Sequence, residues 1–354
     1  MKTIPIIINA RFLTQKITGV QRFAAELSKR LKKEAPHIIF VAPRNILHKE
    51  LAEELGVIII GRLTGALWEQ IELPFFLKKH NPDIVLNLCN TAPLLYKKNI
   101  VTIHDLAVWD FPSAYSFPFR IFYKLLLPRI AHKALKIVTV SKFSKSRIME
   151  ILSIKEERIA IISNAAANFF CKSESEKQKY ILAVSSIDPK KNFKRLIKAF
   201  QKANLPDYKL YLAGNAHGIF QDNGLKSLIE ADSRIQFTGY VSDSELEKLY
   251  QRADFFVYPT LYEGFGIPPL EAMASGCPVI ASEIPAIQEV CGDACLYINP
   301  ESVNDIADKI TVLAYDKTLK EKLIQRGIKQ SEDFSWEASG SNLWHLLITC
   351  RVNG

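Results

Sequence analysis

The chain has 354 residues, of which 48% are hydrophobic and 23% are charged, a composition typical of a globular protein and unlike that of a disordered chain. The length exceeds what one ordinary core needs and predicts two domains of about 150–200 residues each. Because no run of about 18 apolar residues occurs and the N-terminal apolar run is short, we expect neither a membrane span nor a signal peptide.

Charge is unevenly distributed along the chain. The net charge is +9, but residues 1–170 carry 25 Lys and Arg against 13 Asp and Glu, whereas residues 171–354 carry 21 against 24. A basic first half predicts an anionic partner, for which nucleic acid and an anionic membrane surface are both candidates. The six cysteines are scattered, without a Cys-x-x-Cys pair, so we expect reduced thiols in a cytoplasmic protein and no metal site.

Short β-branched runs alternate with longer amphipathic stretches, such as Gly19–Lys33 and Leu67–Lys79. This alternation predicts βαβ units, with parallel sheets that helices cover on both faces. The predicted strands are Ile4–Ile8, Ile38–Val41, Val57–Ile60, Ile84–Leu88, Ile100–Ile103, Lys136–Val140, Ile159–Ile162, Tyr180–Val184, Leu210–Ala213, Ile235–Thr238, Phe255–Val257 and Val279–Ala281.

A polar stretch, Lys172–Lys179, separates two series of strands. We therefore predict two doubly wound, Rossmann-like α/β domains, residues 1–171 and 172–335, that face a cleft. The apolar helical stretch at 336–354 is expected to pack back on the first domain. Ligands of open parallel sheets bind beyond the carboxyl ends of the strands, so the cleft is the predicted site.

The most informative segment is a strand, a loop and a helix. The strand ends at Pro259, and the loop Glu263-Gly264-Phe265-Gly266-Ile267 leads into a helix that begins with two prolines. Glycines let a loop backbone approach a ligand closely and helix N-termini attract anions, so the segment predicts a diphosphate pocket. Glu263, together with Glu271 in the expected first helical turn, supplies carboxylates for sugar or ribose hydroxyls. Gly276 is expected to close the helix in a left-handed conformation.

The run Glu263-Gly264-Phe265-Gly266-x-Pro268-x-x-Glu271-Ala272-x-Ala274-x-Gly276-x-Pro278-Val279 resembles the E-x7-E signature of the retaining glycosyltransferase family 4, which has the GT-B fold. His104-Asp105, Gly239–Leu246 and Glu289–Ala294 also resemble family segments, so the likeness covers nearly the whole chain. It implies transfer of a hexose from a nucleotide-diphosphate sugar. The runs Asn9–Leu13 and Thr18–Arg22 resemble mannosyl- and rhamnosyltransferases of polysaccharide assembly, which implies mannose or a deoxyhexose such as rhamnose. The implied acceptor is a glycan or lipid-linked saccharide in bacterial surface polysaccharide synthesis of the O-antigen or capsule type.

The resemblance implies roles for single residues of the donor site. Glu263 would bind the sugar hydroxyls and Glu271 the ribose hydroxyls, while Tyr240 and Val241 would line the base pocket. Backbone N–H groups would hold the sugar and the phosphates, at Gly264, Phe265, Gly266 and Ile267.

The diphosphate clamp departs from the family at one position. Lys191 is present and would grip the donor diphosphate. Ser186 stands where the family often has Arg, and serine lacks both the charge and the planar fork of a guanidinium. Lys190 either supplies a second charge or is merely solvated.

In the first domain, the resemblance places Gly19 in a loop across from the donor phosphates and His104 where it orients the transferred sugar. A lone histidine is more often structural, and Asp105 either orients the His104 imidazole or caps a turn. Because the chain contains no Asp-x-Asp, we expect no metal and no other cofactor, with Lys191 and backbone N–H groups neutralising the leaving group. We expect a front-face reaction in which a donor phosphate oxygen deprotonates the acceptor hydroxyl.

The stretch Phe117–Lys133 mixes aromatic with basic residues and predicts a helix. This helix either lies on an anionic membrane surface, which suits an enzyme with lipid-linked acceptors, or packs on the sheet. Two other functions stay open: a nucleotide-sugar epimerase of the same fold, and a basic nucleic-acid-binding protein. The second leaves the glycine loop and the paired glutamates unexplained, so we expect no nucleic-acid partner.

Overall fold

The computed structural model describes residues 6–214 and 223–352. The chain divides into two compact units: unit 1 comprises residues 1–164 and 336–354, and unit 2 comprises residues 165–335. The polar stretch Lys172–Lys179 lies in unit 2, whose first strand begins at Gln178. The first two residues of the predicted strand Ile4–Ile8 lie outside the described residues, as do the last two of the predicted C-terminal helix.

Unit 1 is built on a seven-stranded parallel sheet with the order β3-β2-β1-β4-β5-β6-β7. The chain proceeds from β1 to one edge and then returns to the other side of β1, so the strand order reverses between β1 and β4. The strands are β1 Ile6–Asn9, β2 Ile39–Ala42, β3 Ile58–Ile59, β4 Ile84–Asn87, β5 Asn99–Thr102, β6 Lys136–Thr139 and β7 Ile159–Ile161.

One of the predicted helices of unit 1 is interrupted. Where the sequence predicts a single helix over Leu67–Lys79, the structure has a π-helix, Trp68–Glu72, between two α-helices. The hydrophobic spacing is compatible with a continuous α-helix and with this interruption, so the sequence pattern could not reveal the wider π-helical turn. The α-helices of unit 1 are α1 Gly19–Glu34, α2 Lys49–Leu55, α3 Gly65–Leu67, α4 Leu73–His80, α5 Ala107–Asp110, α6 Phe117–Lys133, α7 Lys142–Leu152 and, at the C-terminal end, α15 Trp336–Val352.

Unit 2 repeats the same topology in a six-stranded parallel sheet with the order β10-β9-β8-β11-β12-β13, which reverses between β8 and β11. The strand β13 was not predicted from the sequence. The strands are β8 Gln178–Val184, β9 Lys209–Ala213, β10 Ile235–Gly239, β11 Ala253–Tyr258, β12 Val279–Ser282 and β13 Leu296–Ile298. The helices are α8 Phe193–Ala203, α9 Asn223–Glu230, α10 Asp243–Arg252, α11 Ile267–Ala274, α12 Pro285–Cys291, α13 Val303–Tyr315 and α14 Lys317–Glu332.

Helices cover the sheets with apolar stripes of helical period. In α8, Phe193, Leu196 and Phe200 are buried at the spacing of one helix face and join the cluster beneath the sheet of unit 2. The inner strands of both sheets are buried along most of their length, which explains why they appear in the sequence as continuous β-branched runs, whereas the edge strands β3, β7, β10 and β13 are less buried.

The C-terminal helix α15 packs on α1 within unit 1. Trp336 at its first turn is fully buried, and its ring lies 6.1 Å from that of Phe23 on α1. Ser339 donates a hydrogen bond of 2.8 Å to the carbonyl oxygen of Ser163. The chain therefore returns to unit 1 after completing unit 2, and this packing holds α15 against α1.

Replacing Trp336 with Ala should therefore destabilise unit 1. We expect a loss of about 3–5 kcal/mol in the free energy of unfolding, because the substitution leaves a large cavity against Phe23. The matched control is Tyr315→Ala, whose aromatic side chain is exposed. Guanidinium denaturation followed by circular dichroism measures both. Equal midpoints for the two variants would show that α15 is not part of the folded core.

Candidate active site

A buried ion pair lies where the strand order of unit 2 reverses. Lys191 belongs to the segment after β8, Glu263 belongs to the loop after β11, and their ammonium and carboxylate groups form a salt bridge. The Tyr258 hydroxyl donates to Glu263 Oε1 at 2.6 Å, and the Thr260 hydroxyl lies 2.9 Å from the same oxygen. Lys191 Nζ also lies 3.1 Å from the Tyr258 hydroxyl oxygen. The carboxyl ends of two neighbouring strands thus carry one connected polar cluster.

The two oxygens of Glu263 have different environments. Lys191, Tyr258 and Thr260 all converge on Oε1, whereas none of the residues that the structure describes donates a hydrogen bond to Oε2. Burial by itself would raise the pKa of Glu263, but the charge and hydrogen bond of Lys191, together with both hydroxyls, outweigh it and hold the pKa below its ordinary value. Glu263 is therefore an oriented carboxylate with one oxygen open to a ligand.

The second glutamate is held by another tyrosine. Tyr250 donates a hydrogen bond of 3.1 Å to Glu271 Oε2, and Glu271 is only 5% exposed. Burial, reinforced by the Glu271 charge, raises the pKa of Tyr250 well above its ordinary value, so this hydroxyl remains a donor. The pKa of Tyr258 is likewise raised, by burial and then by the charges of Glu263 and Glu271. Tyr258 therefore lies within electrostatic reach of both carboxylates.

Backbone contacts fix the two loops of the cluster against each other. The Leu261 N–H donates to the Lys190 carbonyl oxygen at 2.7 Å. Asn192, buried and with a φ of 61°, donates through its amide to the carbonyl oxygens of Pro259 and Pro300, at 3.0 and 2.7 Å. Tyr258, Thr260 and Asn192 were not predicted from the sequence. Asn192 acts through carbonyl groups that are 67 and 108 residues away, whereas Tyr258 and Thr260 are five and three residues from Glu263 and carry no motif of their own.

The glycine loop enters its helix as predicted, with one correction. Gly266 has a φ of 127°, and a Cβ there would lie 2.6 Å from Ile287 Cδ1, so the position requires glycine. Gly276 ends the helix with a φ of 66°. However, α11 begins at Ile267, which places Glu271 in the second helical turn rather than the first. The helix starts earlier because Gly266 itself occupies the cap position.

The side chain of Phe265 packs inward, with its ring 5.6 Å from that of Phe334. Only the backbone of this loop residue is therefore placed to meet a ligand. Next to the cluster, Lys190 Nζ lies 3.9 Å from Asp188 Oδ2, and Ser186 is exposed. The second cation considered for the diphosphate clamp is thus beside a carboxylate of its own loop.

The residues predicted to line the base pocket follow the edge strand of unit 2, away from the Lys191–Glu263 pair. Tyr240 is 77% exposed and, with Val241, follows β10, the edge strand. No contact between described residues joins Tyr240 to Glu263. A Ser242–Glu245 capping box at the start of α10 fixes the chain directly after this pair.

In unit 1, His104 is buried against α1. Its Nε2 lies 2.9 Å from the carbonyl oxygen of Leu88, and its ring makes an edge contact with Phe23, 4.9 Å between centroids. Burial lowers the pKa of His104, so the imidazole is neutral at physiological pH. Asp105 accepts a hydrogen bond of 2.9 Å from the Ala107 N–H, as a residue that caps a turn does. The hydrogen-bond partner of the His104 ring is the carbonyl oxygen of Leu88. Gly19 is the first residue of α1, one turn before Phe23.

Within the described ranges, no three His, Cys, Asp or Glu side chains are placed to bind a metal ion together. Over the same residues, no helix combines the length and the apolar character needed to cross a membrane.

Comparisons with known proteins define the class. Residues 164–330 match the family model described as glycosyl transferases group 1, and residues 17–166 match that described as Glycosyltransferase Family 4. The chain is 32% identical to O-antigen chain mannosyltransferase B of Escherichia coli over 73% of this chain and 70% of that protein. It is 29% identical to the O-antigen chain mannosyltransferase RfbU of Salmonella typhimurium over 84% and 87%.

Solved structures agree in fold. A sucrose-phosphate synthase from Thermosynechococcus elongatus aligns with a TM-score of 0.80 at 18% identity, covering 99% of this chain and 100% of that one. The Anabaena protein HepE, crystallised with UDP and glucose, aligns with a TM-score of 0.80 at 17% identity over 98% and 100%. WaaG, a glycosyltransferase involved in lipopolysaccharide biosynthesis, gives 0.72 at 15% identity over 95% and 97%.

The two parallel α/β sheets therefore form the GT-B fold. The chain belongs to glycosyltransferase family 4. The fold, the family and the enzyme class predicted from the sequence are confirmed.

Replacing Lys191 with Met should destabilise the protein in a pH-dependent way. In the wild type the lowered pKa of Glu263 contributes stability above its ordinary pKa, which is lost as the pH falls through the folded value. Without Lys191, only the two hydroxyls oppose the effect of burial, which raises the pKa of Glu263. We expect a loss of about 3–5 kcal/mol near pH 7 that shrinks as the pH falls and the unpaired carboxylate takes up a proton.

Urea denaturation at several pH values tests this expectation. The matched control is Lys179→Met, which removes an exposed pair with Asp207 and should change stability little at any pH. A Lys191→Met cost that does not vary with pH would contradict the electrostatic account of Glu263.

Proposed function

We propose that unit 2 binds a nucleotide-diphosphate sugar and that Glu263 orients the sugar. The observation that carries this proposal is the open Oε2 of Glu263, beside a buried ammonium group and a glycine loop that enters a helix. A carboxylate oxygen accepts hydrogen bonds from sugar hydroxyls, and Lys191 adjoins it to neutralise the diphosphate. The carboxyl edge at the reversal of strand order is where open parallel sheets bind ligands.

The other donor contacts follow from the same placement. Glu271, held by Tyr250, is proposed to bind the ribose hydroxyls, and the backbone of Gly264–Ile267 to hold the sugar and phosphates. Tyr240 and Val241 are proposed to line the base pocket. Lys190 is not assigned to the diphosphate, because Asp188 is beside it.

The chemistry proposed is a front-face substitution that retains the anomeric configuration. The donor C1–O bond breaks through an oxocarbenium-like transition state, and the acceptor oxygen attacks from the same face. The leaving phosphate oxygen takes the proton of the acceptor hydroxyl, so no protein nucleophile is needed. Lys191 and the N-terminal turn of α11 stabilise the negative charge that develops on the leaving group.

Mannose is the proposed donor sugar and a bacterial surface polysaccharide of the O-antigen type the proposed product. Support comes from the two relatives, both described as O-antigen chain mannosyltransferases. The names of these relatives do not specify the nucleotide base of the donor. The Anabaena protein was crystallised with UDP, so uridine is tested beside guanosine and thymidine. Unit 1 is proposed to bind the acceptor, and His104, Asp105 and Gly19 are proposed to take part in the transfer.

Glu263→Gln should abolish transfer while sparing nucleotide binding. Glutamine retains an oxygen for Tyr258 and Thr260 but loses the charge that the sugar hydroxyl and Lys191 use. We expect kcat/KM to fall by at least about 100-fold. Thermal shifts with UDP, GDP and dTDP should persist, since a ligand at a hundredfold its Kd adds about 2.7 kcal/mol in either protein.

Transfer from radiolabelled GDP-mannose and its UDP and dTDP counterparts to lipid-linked acceptor measures the first effect. Loss of both transfer and nucleotide binding in a folded Glu263→Gln protein would show that Glu263 is structural. Absence of any nucleotide shift in the wild type would contradict the proposed function itself.

The protein is further proposed to work at the anionic inner face of a membrane through α6. Phe117, Ile121 and Leu125 recur on one face of this helix and are 67%, 43% and 53% exposed. The 17 residues of α6 include four Lys and Arg and no Asp or Glu. Apolar exposure flanked by uncompensated positive charge is complementary to anionic lipid headgroups.

Flotation with vesicles of phosphatidylglycerol and phosphatidylethanolamine tests this location. The wild type should float at low salt, with less bound as salt screens the basic residues. Phe117→Ser with Leu125→Ser should lose most of the binding, whereas Val312→Ser, an exposed apolar position of α13, should retain it. Absence of wild-type flotation at low salt would contradict the membrane proposal.

A further inference from the structure

Unit 1 carries a second buried ion pair at the equivalent point of its sheet. The strand order of unit 1 reverses between β1 and β4, and Arg11 and Thr91 lie in the segments that follow these two strands. Arg11 Nε donates to Glu69 Oε1 at 3.1 Å, and Arg11 Nη2 donates to Thr91 Oγ1 at 2.8 Å. Nothing in the proposed donor site uses these residues.

Two asparagines at the ends of β1 and β4 complete the cluster around the Arg11–Glu69 pair. Asn9, the last residue of β1, donates to Glu69 Oε1 at 2.8 Å and lies 3.0 Å from Asn87 Oδ1, at the end of β4. The side chain of Glu69 is 3% exposed and that of Arg11 is 14% exposed. Burying such a pair costs desolvation that its own attraction does not reliably offset, so stability alone does not account for it.

The arrangement leaves one polar atom of each charged group open. Asn9 and Arg11 both bind Glu69 Oε1, and across the described part of the chain no group donates to Oε2 or accepts from Arg11 Nη1. Glu69 lies in the π-helix Trp68–Glu72, and π-helical turns commonly mark functional sites because they redirect a side chain. The hydrogen-bond acceptor Glu69 Oε2 and the hydrogen-bond donor Arg11 Nη1 therefore belong to one ion pair whose orientation is fixed.

The chemistry of this pair fits a neutral sugar better than an anion. Two adjacent hydroxyls donate one hydrogen bond and accept another, which matches an open carboxylate oxygen next to an open guanidinium nitrogen. A phosphate or carboxylate ligand would meet the Glu69 charge. Tyr123 of α6 lies within electrostatic reach of both charged groups, and the rings of Tyr115, Phe119 and Tyr123 are stacked, which offers an apolar surface for the C–H face of a sugar.

We propose that the Arg11–Glu69 pair binds the terminal sugar of the acceptor glycan through two adjacent hydroxyls. The inference rests on the proposed function, since it assigns the acceptor of the same transfer reaction. Under this proposal Arg11 and Glu69 determine the acceptor specificity. They belong to unit 1, whereas the proposed donor residues belong to unit 2. Glu263 in unit 2 and Glu69 in unit 1 then act in the same way: protein groups bind Oε1 of each carboxylate, and Oε2 receives a hydroxyl of the ligand.

Saturation-transfer NMR with methyl α-D-mannopyranoside tests the site directly. The wild type should bind this glycoside, and Glu69→Gln should raise its Kd at least about tenfold, which corresponds to about 1.4 kcal/mol. Glutamine preserves an oxygen for Asn9 and Arg11 but replaces the open acceptor with a donor. Arg11→Lys, which lacks Nη1 but keeps the charge, should weaken binding similarly.

The controls separate this site from the donor site and from misfolding. Asp83→Asn removes an exposed ion pair with Arg351 in the same unit and should bind the glycoside normally. Glu263→Gln should also bind it, because the donor site is elsewhere. With lipid-linked acceptor, Glu69→Gln should raise the acceptor KM while the thermal shift by nucleoside diphosphate stays unchanged.

Unchanged glycoside binding by folded Glu69→Gln and Arg11→Lys would overturn the proposal. So would a wild type that ignores the glycoside but is stabilised by inorganic phosphate in an Arg11-dependent manner. In either case the nucleotide shift and the mannosyl transfer would persist, so failure here is distinct from failure of the proposed function.

Discussion

The donor side of this protein depends on one constraint: a carboxylate that is buried must be paired, and it must be paired without using both of its oxygens. Lys191, Tyr258 and Thr260 all bind the same oxygen of Glu263, and their combined effect outweighs the cost of burial. The carboxylate is thereby charged and fixed before any ligand arrives. Such preorganisation is what allows a hydrogen bond to discriminate in a site from which water is excluded.

The fold supplies this arrangement in both units. In each sheet the strand order reverses next to the first strand, and the loops beyond that point come close together without being near in sequence. Lys191 and Glu263 use that point in unit 2, and Arg11 and Glu69 use it in unit 1. Repeated topology thus produced similar polar clusters from unrelated sequence segments.

Much of the fold could be predicted because it follows from local patterns. The strand runs are apolar on both faces, and the glycine loop before α11 has a composition that few other structures require. The E-x7-E run located Glu263 and Glu271 for the same reason, since spacing within one loop and helix is a property of the sequence itself.

Other contacts of the two polar clusters could not be predicted, because they join elements that are distant in the sequence. Glu69 meets Arg11 across 58 residues, and Asn192 meets Pro300 across 108. The hydrogen bonds of the π-helix that carries Glu69 span five residues rather than the four of an α-helix, a difference that hydrophobic spacing does not resolve. His104 follows the end of β5, and its hydrogen bond to Leu88 involves a backbone carbonyl, which no side-chain pattern records.

A crystal structure with a nucleoside diphosphate and the donor sugar would test the central claim most directly. The account predicts a sugar hydroxyl within hydrogen-bonding distance of Glu263 Oε2, the diphosphate beside Lys191 and the N-terminal turn of α11, and Oε1 still bound by Tyr258 and Thr260. A sugar bound away from Glu263, or a Glu263 carboxylate that turns to give Oε1 to the ligand, would contradict it.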